Sequence, residues 1–383
     1  MVLPPEILAR MANVVEHAQA SGTARAYRAD WARFEDWCID SGYRALPAAP
    51  EVIAAYLVVA RDTVTPSGER AYAPSTLSKW VSAIADRHRR AGIAPLPTGH
   101  ELVRATLAGI KREYADAGER PRRPRAPLLT NDIMALVATA REQVYGWADA
   151  VAERRDTALL LMGYTAALRR SELAALRGGD VTVHTLDGLH IAVRRSKRDQ
   201  EGRGSLRAVP RSEDPARCTA CAAVRWAEVV AASDRHGRRG IIRLLQAPGA
   251  LTAPGVADGH VCTRPDGTSP GDADAAPRAW VAGGRPFFRA VARNGLLSST
   301  PLSGASVHAV IRRRAARAGF GPEVLERLGG HSLRAGFVTQ AMRNGADAAA
   351  VMRQTDHRSE VQVHAYRREH TPLLGNAVQE LDL

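Results

Sequence analysis

Three separated boxes and one short basic segment carry side chains suited to chemistry on a phosphate group. The boxes read ALRRSELAAL, HSLRAGFVT and QTDHRSEVQVHAYRR, and the basic segment between the first two reads RRSKRDQEG. They supply two arginines, two histidines, a lysine and a tyrosine. In chain order these residues are Arg169, Lys197, His331, Arg334, His357 and Tyr366.

The two arginines predict a site that stabilises negative charge. Cleavage of a phosphodiester passes through a pentacoordinate phosphorane with extra charge on its non-bridging oxygens. Arg169 and Arg334 can each offer those oxygens a planar fork of donors. His357 can donate a further hydrogen bond to a non-bridging oxygen and help to hold the site closed.

The remaining three side chains supply a nucleophile and two proton carriers. The phenolic oxygen of Tyr366 can attack the scissile phosphate and form a phosphotyrosine link to the 3′ side. Because the pKa of a free tyrosine is near 10, it needs a proton acceptor, and His331 is the best candidate. Lys197, at a hairpin tip, can protonate the leaving 5′ oxygen as a general acid.

The order of these boxes resembles the tyrosine recombinase (phage integrase) family. That family has an Arg before x-Ser-Glu-Leu, a hairpin Lys, a His-x-x-Arg box, a His or Trp, and a Tyr nine residues further on. All six positions are filled here, and the resemblance covers roughly residues 20–370. Glu172 resembles the acidic residue of the family that orients the site, and we assign it a supporting role. Asp356 departs from the pattern, because the family usually has Gly before this His; the exchange alters the turn or adds negative charge.

The resemblance implies a cofactor-independent enzyme that cuts and rejoins double-stranded DNA at specific recombination sites. It also implies assembly into a tetramer on two sites, and it leaves open an accessory DNA-bending factor. These motifs do not reveal the target sequence, or whether the role is integration, excision or resolution. Two rivals remain: a type IB topoisomerase-like enzyme, and a DNA-binding protein that has lost catalysis. The basic helical front domain argues against the first, and the filled set of six positions argues against the second.

Helical periodicity dominates the first 118 residues. Pro50 and Ser75 are placed to begin two of the helices, and Gly92 and Gly118 to end two. We predict a helical core-binding (SAM-like) domain over 1–118 and an extended basic linker over 119–127, which reads ERPRRPRAP. We expect a mostly α fold with a small β-sheet and two domains that form a clamp around DNA.

The catalytic domain is predicted over 128–383. An alternating, turn-rich stretch at 184–211 predicts a hairpin or small sheet, and a helix near 130 is expected to be capped by Thr130 or Asn131. Residues 247–285 are rich in Gly, Pro, Ala and Asp, which predicts a long surface insertion. The apolar residues of the tail after 370 predict contacts with a neighbouring protomer or with its own domain.

Composition agrees with a DNA-binding protein that works inside the cell. The chain has 383 residues, a formal net charge of +13 and a pI of about 10.3, which favours a polyanionic partner. Four cysteines are too few for a disulfide scaffold, and no long apolar run or leader pattern is present. We therefore expect a soluble, cytoplasmic, nucleoid-associated protein with no membrane partner. Because only 5% of residues are aromatic, we expect cores of Leu, Val, Ile and Ala.

The cysteines leave two alternatives open. Cys218 and Cys221 could bind a structural zinc ion together with His260 and Cys262, although the spacing to His260 is long. Alternatively, the Cys-x-x-Cys pair could begin a helix with two partly buried thiols, and we take no metal as the primary expectation. No phosphate-binding Gly-x-x-x-x-Gly-Lys-Ser/Thr loop and no acidic cluster suited to two-metal nuclease chemistry are evident in the sequence.

Overall fold

The chain forms two compact units, Met1–Arg123 and Pro124–Leu383. The computed structural model describes residues 21–119, 125–184, 187–194, 204–246, 259–263, 281–357, 359–361 and 363, and residues 4, 6, 7, 10 and 11. The fold is mostly α-helical with two small antiparallel sheets, as predicted. Among the described residues, no helix is long and apolar enough to cross a membrane.

Within residues 21–119, the first unit contains four α-helices. They are α1 (Ser21–Asp40), α2 (Pro50–Asp62), α3 (Pro74–Arg90) and α4 (Glu101–Asp116). Proline occupies the first turn of both α2 and α3, where its fixed φ suits a helix start and its missing N–H costs nothing. Ser75 is therefore not the cap that we expected, because α3 begins one residue earlier, after Ala73. Gly92 and Gly118 adopt positive φ just beyond their helices, as predicted.

Aromatic rings form much of the core of the first unit. Phe34, Tyr56 and Trp80 are almost fully buried, and Tyr56 lies 5.1 Å from Phe34 and 5.4 Å from Trp80 between ring centroids. Nine of the 19 aromatic residues of the chain lie in its first 118 residues. Leu, Val, Ile and Ala still form most of this core, as expected, but aromatic rings contribute more to it than the average over the whole chain indicates.

The second unit is larger, and its helices surround a central one. The helices are α5 (Thr130–Glu142), α6 (Trp147–Thr165), α7 (Arg170–Ala175), α8 (Thr219–Gln246), α9 (Gly304–Arg317), α10 (Pro322–Arg327), α11 (Ser332–Arg343) and α12 (Ala348–Thr355). Helix α6 is buried along most of its length, in a core built mainly from Leu, Val, Ile and Ala. Helix α8 kinks at Gly237, whose φ of 57° is left-handed. Helix α5 begins after Leu129, so neither Thr130 nor Asn131 is its cap.

Two small sheets complete the second unit. Strands β1 (Val181–His184), β2 (Gly188–Val193) and β3 (Ser205–Val209) form an antiparallel meander in which Val193 pairs with Ser205. This confirms the sheet predicted at 184–211. Strands β4 (Arg289–Val291) and β5 (Leu297–Pro301) form a hairpin that the sequence did not predict.

The stretch at 247–285 is only partly described, at 259–263 and 281–285. Cys262 is 6% exposed and Val281 is 3% exposed, so these two residues pack into the core, whereas residues 259, 263 and 282–285 are exposed at the surface. The backbone N–H of Gly178 donates to the carbonyl of Arg285 at 2.9 Å. The rest of the predicted insertion lies outside the described residues.

Buried charge connects α6 to α9. Residues 153–156 are four consecutive charged positions that are almost fully buried. The carboxylate of Asp156 accepts hydrogen bonds from Arg155, Arg313 and Arg314 at 2.7–2.9 Å. Burial alone raises the pKa of Asp156, but the three arginine charges outweigh it and bring the pKa below its usual range. The carboxylate therefore stays charged and fixes α9 against α6.

Candidate active site

Arg169 and Glu172 form a local unit at the start of α7. Arg169 is the N-cap residue of this helix, in extended backbone conformation. The carboxylate of Glu172 accepts the backbone N–H of Arg169 at 2.8 Å and its guanidinium at 2.5 Å. Glu172 is 5% exposed and Arg169 is more open, so the buried carboxylate fixes the position of the arginine side chain.

Arg334 is the most deeply buried of the described site residues. It lies in α11 with 1% of its surface exposed. One guanidinium nitrogen donates to the carbonyl of Ala167 at 2.8 Å, and another donates to the carbonyl of Thr355. These contacts join the loop before Arg169 to the end of α12. Arg334 therefore connects all three sequence boxes from the centre.

The position of α11 depends on a close approach of backbones. A Cβ at Gly336 would lie 1.7 Å from the carbonyl oxygen of Leu128, so only glycine fits there. The backbone N–H of Leu128 donates to the carbonyl of Ser332 at 3.1 Å in the same region. Gly336 thus allows the helix that carries Arg334 to pack directly on the chain entering α5.

His331 is the N-cap residue of α11, three positions before Arg334. Its side chain is exposed to solvent, but its surroundings desolvate the ring in part. This desolvation, and after it the charges of Arg334, Arg169 and Arg125, lower the pKa of the imidazole below its ordinary value of about 6.5. A neutral imidazole at pH 7 follows, and a neutral imidazole can accept a proton.

His357 follows α12 and is 9% exposed. Its Nδ1 lies 2.9 Å from the hydroxyl of Thr355, and that hydroxyl donates to the carbonyl of Val351 at 2.7 Å. With its proton used in this way, the hydroxyl accepts the Nδ1 proton of His357. Thr355 therefore sets the orientation of the ring, a role that the sequence did not predict.

The departure at Asp356 is accommodated in two ways. Its backbone is left-handed, with φ 59° and ψ 37°, which is the conformation that glycine favours and that aspartate tolerates. The turn therefore keeps a glycine-like geometry. Its carboxylate lies 3.9 Å from the guanidinium of Arg207 on β3, so the added negative charge has a cationic neighbour.

Arg207 is a site residue that sequence reasoning missed. It is 4% exposed, and it donates to the carbonyl of Arg353 in α12 at 3.1 Å. Desolvation lowers the pKa of its guanidinium, and the charges of Asp356 and Glu172 oppose that shift. No sequence signal identified it, since alternation starting from the apolar Leu206 would place residue 207 on the outer face, whereas the structure has Leu206 exposed and Arg207 buried.

The described site residues thus form one connected group. Arg169, Glu172, His331, Arg334 and His357 are linked by hydrogen bonds or by electrostatic influence on one another. Lys197 and Tyr366 lie outside the described residues. In the sequence, residue 197 falls between the end of β2 at Val193 and the start of β3 at Ser205.

The four zinc candidates also come together, at a separate place in the same unit. The ligand atoms of Cys218, Cys221, His260 and Cys262 all lie within 4.8 Å of one another. The long spacing that counted against a shared site in the sequence does not keep them apart. Cys218 directly precedes α8 and Cys221 lies in its first turn, so the Cys-x-x-Cys pair also begins a helix, as the alternative predicted.

Known proteins with related sequences are recombinases. The chain is 28% identical over 369 residues to the integrase/recombinase XerD homolog of Selenomonas ruminantium, which covers 96% of this chain and 87% of that protein. It is 27% identical over 149 residues to the recombinase Cre of Escherichia phage P1, with 38% of each chain covered. No family model matches the chain.

Two solved structures also align with most of the chain at low identity. XerA recombinase has 15% identity and a TM-score of 0.37, over 98% of this chain and 96% of that one. The Tn1549 transposon integrase in complex with transposon right end DNA has 12% identity and a TM-score of 0.45, over 87% and 84%.

The relatives and the boxes lead to one family. The curated sequence relatives confirm the resemblance that the boxes predicted. The chain is similar to a known integrase/recombinase over 96% of its length.

Proposed function

We propose that this chain is a site-specific DNA recombinase that cuts and rejoins duplex DNA through a phosphotyrosine intermediate at Tyr366. The observation that supports this most strongly is the buried Arg334, whose contacts join the three boxes around one centre. A buried guanidinium beside a second arginine and two histidines is suited to a phosphate undergoing substitution. Double-stranded DNA is the expected partner, in keeping with the net charge of +13.

The reaction we propose needs no cofactor. The phenolic oxygen of Tyr366 attacks the scissile phosphorus as His331 accepts its proton, and the bond to the 5′ oxygen breaks as Lys197 donates a proton to it. Arg169 and Arg334 stabilise the charge on the non-bridging oxygens, and His357 in its doubly protonated form donates a further hydrogen bond from Nε2 while Nδ1 remains bonded to Thr355. The phosphotyrosine bond keeps the energy of the phosphodiester, so attack by a new 5′ hydroxyl reverses the step and seals the strand.

The organisation of the chain fits this chemistry. We propose that residues 1–118 form the core-binding domain, that 119–127 link it to the catalytic domain at 128–383, and that both domains bind the DNA. We further propose assembly into a tetramer on two recombination sites, with the C-terminal tail in contact with a neighbouring protomer.

The test of the proposed function is to trap the covalent intermediate. Purified protein is incubated with nicked DNA fragments from the regions flanking its gene, and protein–DNA adducts that survive denaturation are mapped to the nucleotide. We expect an adduct at one defined position in each strand, formed in the presence of EDTA. Sequence-specific binding without any adduct would instead identify a catalytically silent DNA-binding protein.

The Lys197→Ala variant should cleave ordinary DNA much more slowly than the wild type. It should cleave DNA with a 5′-bridging sulfur at nearly the wild-type rate. A thiolate leaves without protonation, so the general acid becomes unnecessary. Single-turnover adduct formation on the two substrates measures the effect. Arg169→Ala is the control, since loss of charge stabilisation is not relieved by a better leaving group. Equal losses on both substrates for Lys197→Ala would exclude the acid role.

The pH dependence should reveal His331. Its lowered pKa means that it is neutral, and able to act as a base, above the pKa and protonated below it. Cleavage should therefore rise with pH through an acid limb below about pH 6.5 and then level off. His331→Gln should remove this limb and slow cleavage by roughly 10²- to 10⁴-fold. His236→Gln, at an exposed position in α8, is the matched control; an acid limb that persists in His331→Gln would contradict the assignment.

A further inference from the structure

We propose that Cys218, Cys221, His260 and Cys262 bind a structural Zn²⁺ ion. This site is separate from the proposed chemistry and comes from two distant parts of the sequence. Two ligands lie at the start of α8, and two lie about forty residues later, in the short turn Val261–Thr263 and just before it. Three thiols and one imidazole form one of the common ligand sets for structural zinc.

Three of the six separations between ligand atoms are close to those of tetrahedral coordination. Zinc–sulfur bonds of about 2.3 Å and zinc–nitrogen bonds of about 2.0 Å place tetrahedral ligand atoms about 3.5–3.8 Å apart. The Sγ of Cys221 lies 3.4 Å from Nδ1 of His260 and 3.5 Å from Sγ of Cys262. The Sγ of Cys262 lies 3.9 Å from the same Nδ1. These separations are too long for a disulfide bond and suitable for ligands that share one ion.

The surroundings of the four residues support the same conclusion. The other ring nitrogen of His260, Nε2, lies 3.3 Å from the carbonyl of Glu213, so it can donate its proton there and leave Nδ1 to coordinate a metal. Cys218 precedes the first turn of α8, where the positive end of the helix dipole favours a thiolate. All three thiols are buried, with exposures of 1%, 1% and 6%.

Four protein ligands leave no open coordination position, so the role is structural. The ion would link the turn at 261–263 to the start of α8, the helix that follows β3 in the chain. The hydroxyl of Thr219, next to Cys218, lies 3.2 Å from that of Thr165 at the end of α6. Zinc would thus stabilise the helical frame behind the candidate active site without taking part in the reaction.

The test uses the full chain with any affinity tag removed, since tag histidines also bind metals. Elemental analysis should give about one zinc per chain, in line with one closed site. Replacement by Co²⁺ should produce visible ligand-field bands and near-ultraviolet thiolate-to-cobalt charge transfer. Cys221→Ser or Cys262→Ser should lose the metal and the bands, whereas Cys38→Ser, at a buried thiol in the other unit, should keep both.

Measurements on the unmodified chain keep the test decisive if a variant does not fold. Prolonged treatment with a strong chelator should lower Tm by roughly 10 °C or more, and adding Zn²⁺ should restore it. Folded wild-type protein that contains no zinc and gives no cobalt bands would overturn the proposal. So would a disulfide between Cys221 and Cys262 in protein purified under reducing conditions.

Discussion

Tyr366→Phe is expected to abolish covalent protein–DNA adducts while leaving binding to the same DNA unchanged. The exchange removes one oxygen atom, which is the proposed nucleophile, and keeps the ring. Adducts on a nicked suicide substrate should fall below detection, because no other residue is proposed to attack the phosphate. A gel-shift titration with the same DNA measures binding in parallel.

The matched control for this prediction is Tyr145→Phe, since Tyr145 is 86% exposed and lies outside the proposed site. It should form adducts at the wild-type rate. Adducts formed by Tyr366→Phe would place the nucleophile elsewhere. In that case, the position of the tyrosine nine residues after His357 would have no catalytic meaning.

Arg169→Ala is expected to slow cleavage by at least about 10²- to 10³-fold, the usual effect of removing one preorganised donor to a developing negative charge. DNA affinity should fall only modestly, because many other basic residues of this +13 chain can contact phosphates. Single-turnover adduct formation and gel-shift affinity, measured at one salt concentration, separate the two effects. Arg317→Ala, at an exposed position late in α9, is the control and should leave cleavage unchanged.

Arg334 should behave differently from Arg169. Its removal leaves two buried carbonyls, those of Ala167 and Thr355, without their donor, so Arg334→Ala should lower Tm as well as cleavage. Arg169→Ala should leave Tm nearly unchanged. If both variants lost binding and cleavage to the same extent, general electrostatics would explain the arginines better than a specific role at the phosphate.

Local sequence rules predicted the helices well where a proline or glycine marks an end. Helix α2 begins at Pro50 and spans the residues that its pattern indicated. Residue preferences for the N-cap position fail where two start signals compete. Helix α3 begins at Pro74, so Ser75 lies inside the helix and does not cap it. The β4–β5 hairpin was missed because it follows a Gly- and Pro-rich stretch in which no strand pattern stands out.

The site was predictable as a set of residues but not as a network. Fixed spacing in the boxes identified Arg169, His331, Arg334 and His357. Arg207 escaped notice because an arginine in a short strand is normally exposed, and only the packed sheet reveals its burial. The cysteine site was named from the sequence as one of two alternatives but could not be decided there, since the contact between Cys221 and His260 depends on tertiary folding across 39 residues.

The two carbonyl contacts of Arg334 bear on how decayed copies of such genes can be identified. Selection for folding alone should preserve an arginine at this position, because its guanidinium on α11 donates hydrogen bonds to the carbonyls of Ala167 and Thr355. No such packing role is assigned to the proposed nucleophile. A pseudoenzyme descended from this chain should therefore keep Arg334 long after it has lost Tyr366. In a survey of related genomes, the tyrosine separates active copies from silent ones, and the arginine reports only that the domain still folds.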